Sequence, residues 1–124
     1  MNLSLNTIVI FTFDVNLLKD FYTKYFHSTV TEEIKDEWVV LQAGNCNIGL
    51  HRVGEAYRHF QPTASAEKNT KLIFETEDDI FALREKFLRN GIPVHDIKSF
   101  ANYPYLLCDG EDPEGNVFQL KKAK

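Results

Sequence analysis

Cysteine, proline and glycine are all scarce in this 124-residue chain, with two, four and six of each. The two thiols, Cys46 and Cys108, offer no metal-type spacing and no disulfide framework, so both are expected to be reduced and packed. So few glycines and prolines exclude collagen-like or low-complexity sequence. Positive charge is also short: 14 Lys and Arg face 18 Asp and Glu, for a net charge of −4. That balance leaves no basic face for nucleic acid. Lys121, Lys122 and Lys124 read as a solvated tail. No apolar run approaches the roughly 18 residues of a membrane span. The N-terminus lacks the basic and long apolar segments of a signal peptide, because Asp14 interrupts the only candidate run. The expectation is a cytoplasmic protein with no membrane or nucleic-acid partner.

What the chain does have is apolar and aromatic mass. Hydrophobic residues make up 44% and aromatics 13%, with ten Phe, enough for a core. The chain also echoes itself. Asn6-Thr7-Ile8-Val9-Ile10-Phe11 returns as Asn69-Thr70-Lys71-Leu72-Ile73-Phe74, 63 residues later. Each copy runs from an apolar strand through an acidic corner into an amphipathic helix. A long period present only twice indicates a duplicated module and not a solenoid.

Thr7–Phe13 is rich in β-branched and aromatic residues and predicts a buried strand. Asp14 or Asn16 can cap the helix that follows, in which Leu18, Phe21, Tyr22 and Tyr25 share one face. Strands are expected near 28–34, 37–43 and 46–53, broken at Asp36-Glu37 and Gly44-Asn45. Module 1 thus spans 1–54, a connector 55–68, and module 2 69–124. In module 2 a strand at 70–76 leads to a helix near 78–90, with Ile80, Leu83 and Phe87 on one face. Asn90-Gly91 and Pro93 end that helix. Strands near 93–98, 104–109 and 116–121 complete the plan. Two β-α-β-β-β modules predict a single α+β domain with helices packed on one side of curved mixed sheets.

The most specific local signal is Asp112-Pro113-Glu114-Gly115-Asn116, a tight turn ahead of the alternating strand Val117-Phe118-Gln119-Leu120. Together with Phe74-Glu75-Thr76-Glu77-Asp78-Asp79 and Asp14…Phe21-Tyr22, it resembles the vicinal oxygen chelate superfamily. That group includes glyoxalase I, extradiol dioxygenases, fosfomycin-resistance enzymes and bleomycin-resistance proteins. The resemblance covers nearly the whole chain. It implies that the paired modules form a cup with the helices outside, and that the protein is a homodimer. In the metal-dependent branches it implies one divalent ion held by residues from the first and last strand of each module.

Counted from these motifs, the four ligand positions fall on Thr7, Gly49, Lys71 and Gln119. A catalytic ion usually needs about three protein ligands, and this set does not supply them. A shift of one residue either way brings only Asn6, Ile8, Ile48, Leu50, Thr70, Leu72, Phe118 and Leu120. No metal and no cofactor is therefore expected. His51, two residues beyond Gly49 and on the same strand face, offers either an unusual ligand or a pocket-lining imidazole. His27, His59 and His95 read as surface residues. Neither a Gly-rich phosphate loop nor a nucleophile elbow is present.

The expected ligand-binding residues are Thr7, Phe11, Trp38, His51, Lys71, Glu75, Tyr105 and Gln119. Alternation sends Thr7, Phe11, Lys71 and Glu75 to one face of their strands, and His51 and Gln119 to one face of theirs. Trp38 and Tyr105 would supply aromatic walls. Lys71 either engages an anionic or carbonyl group or reaches to water from a strand end. Tyr57, Arg58, His59 and Phe60 form a lid, a subunit contact or an ordinary connector. Apolar walls with a few polar groups suit a small molecule, so the reading is a metal-free small-molecule-binding protein. The alternative is a glyoxalase I-like lyase, or another lyase or dioxygenase-type enzyme, with an atypical site. Metal-free catalysis by Lys71, Glu75 or His51, or a protein-interaction role, completes the range.

Overall fold

The computed structural model describes residues 2–59 and 68–124. Phe60, Pro62 and most of the expected connector lie outside the described residues. The chain divides into two compact units, 1–62 and 63–124, with the boundary inside that connector.

Unit 1 runs β1 (Thr7–Thr12), α1 (Val15–Phe26), β2 (Thr29–Ile34), β3 (Trp38–Ala43) and β4 (Cys46–Arg52). The strands form one mixed sheet in the order β1-β4-β3-β2, with β1 parallel to β4 and the other pairs antiparallel. A short 3-10 turn, Glu55–Tyr57, follows β4. Asp14 begins α1 as its cap, accepting from the Leu17 N–H at 3.1 Å, and such a cap contributes about 1 kcal/mol. The helix ends at His27, whose left-handed φ of 55° turns the chain out of the helix. Leu18, Phe21 and Tyr22 bury the predicted face of α1 together with Val39, Leu41, Ile48 and Leu50, as α1 packs on β3 and β4. Lys19 reaches Glu33 of β2 at 2.8 Å. That hydrogen bond raises the lysine pKa against an opposing effect of burial.

Unit 2 repeats the plan with β5 (Lys71–Glu75), α2 (Ile80–Arg89), β6 (Lys98–Ser99), β7 (Tyr105–Glu111) and β8 (Val117–Ala123). Its sheet order is β5-β8-β7-β6, with β5 parallel to β8. Asp79 caps α2 by accepting from the Phe81 and Ala82 N–H groups. Ile80 and Phe87 are buried beneath the helix with Cys108, Phe118 and Leu120. Gly91 takes the left-handed conformation at φ 74° that ends it. The turn before β8 is held by Asp112, whose Oδ1 accepts from the N–H groups of Glu114 and Asn116, each at 2.9 Å.

Two expectations need adjustment. The segment 93–98 is not a continuous strand: only Lys98–Ser99 pair with β7, and Val94 makes one isolated bridge to Gly110. Pro93 has no N–H to give to a ladder, and the His95 carbonyl is taken by Arg84 of α2 at 2.8 Å. The sequence echo is also one residue out of step with the structural repeat. Thr12 and Thr76 are the equivalent residues, each accepting from the backbone N–H two positions on. In the echo Phe11 aligns with Phe74, yet Phe11 is exposed while Phe74 shares the half-buried face of β5 with Leu72. A slip of one residue exchanges the two faces of a strand.

Candidate functional site

Unit 1 leaves one sheet face uncovered by α1, and side chains from all four strands line up across it. Phe11 of β1 pairs with His51 of β4, His51 with Trp38 of β3, and Trp38 with Ile34 of β2. The adjacent row is Val9, Gly49, Val40 and Glu32. The His51 ring meets Phe11 edge-on at 5.5 Å between centroids and Trp38 at 5.7 Å, a geometry favoured by aromatic quadrupoles. Trp38 lies across the sheet. Its Nε1 donates to Glu32 Oε2 at 3.1 Å, and its opposite edge covers Gly49. A Cβ on Gly49 would stand 2.7 Å from Trp38 Cη2 and 3.2 Å from Val9 Cγ2.

The result is an open groove of about 530 Å³, lined by Val9, Phe11, Ile34, Glu37, Trp38 and His51. Phe11 is 64% and Ile34 63% exposed, so large apolar surface faces solvent there. Glu37 at the rim pairs with Arg52 at 3.1 Å and Arg58 at 3.8 Å. Arg58 in turn donates to the Val53 carbonyl. Of the expected residues, Phe11, Trp38 and His51 therefore come together. Thr7 lies two rows further along β1, opposite Asn47, with its hydroxyl donating to Asn6 Oδ1 at 2.6 Å.

Unit 2 presents a more polar face. Lys71 and Gln119 are brought together through Asp109, a residue the sequence reading passed over. Asp109 of β7 accepts from Gln119 Nε2 at 2.8 Å on one oxygen and from Lys71 Nζ at 3.1 Å on the other. Glu75 does not neutralise Lys71; its carboxylate stands 4.0 Å from Lys121 Nζ. Lys121 also sits 4.0 Å above the Tyr105 ring, a cation–π contact. The available sign for Asp109 was alternation, since it shares the strand face of Tyr105 and Leu107. Glu32, likewise passed over, alternates with Ile34.

The family-implied metal can be tested against these side chains. Gly49 has no donor, and the space a ligand would occupy there is filled by indole. Lys71 brings a cation, and Gln119 donates its amide to Asp109. Among the described residues no group of three or more His, Cys, Asp or Glu is placed to hold a metal ion. The residues at the ligand positions do not fit a divalent ion. Cys108 is buried, and that burial pushes its thiol pKa up, against a smaller lowering by Arg84. Its Sγ lies 3.4 Å from the His95 carbonyl. No described helix is long and apolar enough to cross a membrane.

Solved structures share this fold across nearly the whole chain at low sequence identity. An integron cassette protein from the mobile metagenome of Vibrio cholerae is 20% identical, with a TM-score of 0.72 over 100% of this chain and 98% of that one. A lactoylglutathione lyase from Agrobacterium tumefaciens is 16% identical, with a TM-score of 0.72 over 96% and 92%. A genomically encoded fosfomycin resistance protein from Listeria monocytogenes is 11% identical, with a TM-score of 0.72 over 100% and 94%. No curated protein matches the chain significantly. The family model described as Glyoxalase/Bleomycin resistance protein/Dioxygenase superfamily matches residues 4–120, and the chain belongs to that superfamily.

Proposed function

We propose that this protein binds a small organic molecule in the aromatic groove of unit 1, with no metal ion taking part. The observation that carries this reading is Trp38 lying over Gly49. One side chain both fills the place of a metal ligand and forms a wall of the groove. The groove's volume falls within the roughly 300–1,000 Å³ usual for small-molecule sites. Its walls are apolar and aromatic, and His51 and Glu37 supply the polar handles that orient a ligand.

The test is a compound screen read by melting temperature and by fluorescence. Trp38 is the only tryptophan, so its emission reports on the groove itself. A ligand at a hundredfold excess over its Kd raises stability by about 2.7 kcal/mol. A broad screen in which no compound shifts either signal overturns the reading. The lyase-type alternative is tested by adding Zn²⁺, Ni²⁺ or Mn²⁺: a large rise in melting temperature, with an ion held by three or more protein atoms, would replace binding by metal chemistry. The homodimer implied by the family resemblance belongs to the same proposal, and mass in solution tests it.

A further inference from the structure

Glu32 does not line the groove, but it holds a ring that does. The register sets Glu32 of β2 and Gly49 of β4 on either side of Val40 in β3. The Trp38 indole bridges that row. Its Nε1 donates to Glu32 Oε2 at 3.1 Å, and its far edge stands over Gly49, where a Cβ would lie 2.7 Å from Cη2 and 3.1 Å from Cζ3. Val40 is only 7% exposed although it shares the Trp38 face, opposite α1, as expected of a residue beneath the ring.

The neighbours in the ring's own row do little to fix it. Ile34 is largely exposed, the His51 ring meets the indole only edge-on, and Gly49 has no side chain to key it in place. The hydrogen bond is directional, and a carboxylate acceptor makes it stronger than a neutral one. We infer that Glu32 is a positioning residue for the groove: by holding the indole over Gly49 it keeps the groove shallow and restricts it to slender ligands. With the ring released, Gly49 is uncovered and a bulkier apolar body fits. This inference rests on the proposed small-molecule groove and specifies the shape of its ligand and not its charge.

Two readouts test it. Fluorescence anisotropy decay of Trp38, the only tryptophan, reports the freedom of the ring with no ligand present. Two neutral alcohols, slender 1-hexanol and globular 1-adamantanol, then report the shape of the groove through Trp38 emission. Glu32→Leu removes the acceptor at similar size, and Glu32→Ala does so without adding an apolar side chain; residue 32 is exposed, so both should fold. In both the ring should gain fast local motion. Losing a hydrogen bond to a charged acceptor changes the ratio of covering to displaced ring by about tenfold. The affinity for 1-adamantanol should rise by up to that factor, while that for 1-hexanol changes little. Glu32→Gln keeps an acceptor for Nε1 and should retain both the restrained ring and the preference for the slender alcohol. Gly49→Ala should also loosen the ring, but its methyl group fills the uncovered space, so 1-adamantanol gains nothing there. A ring as restrained in Glu32→Leu and Glu32→Ala as in the unaltered protein overturns the inference. So does a freed ring with no gain for 1-adamantanol, whatever 1-hexanol does, and the broader compound screen decides the parent reading separately.

Discussion

Trp38 closes over Gly49: the indole Cη2 lies 2.7 Å from where a β-carbon on residue 49 would stand. The glycine is required for this contact to exist, because any larger residue would collide with the ring and with Val9. Gly49→Ala should therefore destabilise unit 1 by about 1–3 kcal/mol, the usual cost of overpacking. In a Trp38→Ala background the same change should cost much less. A double-mutant cycle by urea unfolding, followed by circular dichroism, measures that coupling. Additive effects would show that the ring is not what excludes a side chain at residue 49.

Asp112 holds the β7–β8 turn through one oxygen that accepts from two backbone N–H groups and from the Asn116 side chain. The residue is buried, so losing its carboxylate leaves backbone donors without partners. Asp112→Ala should cost about 1–3 kcal/mol. Asp112→Asn retains an acceptor oxygen and should cost less. Chemical denaturation of the two variants checks the order.

Lys71 and Asp109 form a partly exposed pair, and such pairs contribute about 0–1 kcal/mol. Lys71→Met should therefore change stability little, and Asp109→Asn comparably little. A loss of several kcal/mol in either variant would mean that the carboxylate anchors the β5–β8–β7 face more firmly than an exposed ion pair can. Thermal melts at low and high salt provide the comparison.

Cys108 should resist alkylation in the native protein, whereas the half-buried Cys46 reacts first. Burial raises the Cys108 pKa, so the folded state holds its proton more tightly than the unfolded chain does. Its contribution to stability is full below the ordinary thiol value of about 8.5. It is lost as pH rises from there through the raised native value. Cys108→Ala should lower stability at every pH by leaving a small void, and should flatten this alkaline decline. Urea titrations between neutral and alkaline pH read the slope.

The β-α-β-β-β plan was legible because its signals are local. Asp14 and the spacing of Leu18, Phe21 and Tyr22 mark α1, and Asp112 to Asn116 mark the last hairpin. The weak segment at 93–98 was harder to read, because apolar content alone cannot show that Pro93 and Arg84 divert backbone groups from the sheet. The groove was partly legible. Alternation along β1 and β4 put Phe11 and His51 on their faces, but the direction of Trp38 needed the pairing of β3 with β4. Asp109 escaped notice for the same reason, since its partners are 38 and 10 residues away along the chain.

By itself, then, the amino-acid sequence determined a doubled α+β chain with helices capped by Asp and strands of period two. It also determined a set of residues unsuited to gripping a divalent ion. Helix periodicity, caps and turns depend on neighbours a few positions apart, so they survive being read in one dimension. Only the tertiary structure decided that Trp38 covers Gly49, that Asp109 joins Lys71 to Gln119, and that Glu32 accepts from the Trp38 indole. Those contacts depend on register between distant strands, where a shift of one residue would turn each side chain to the opposite face.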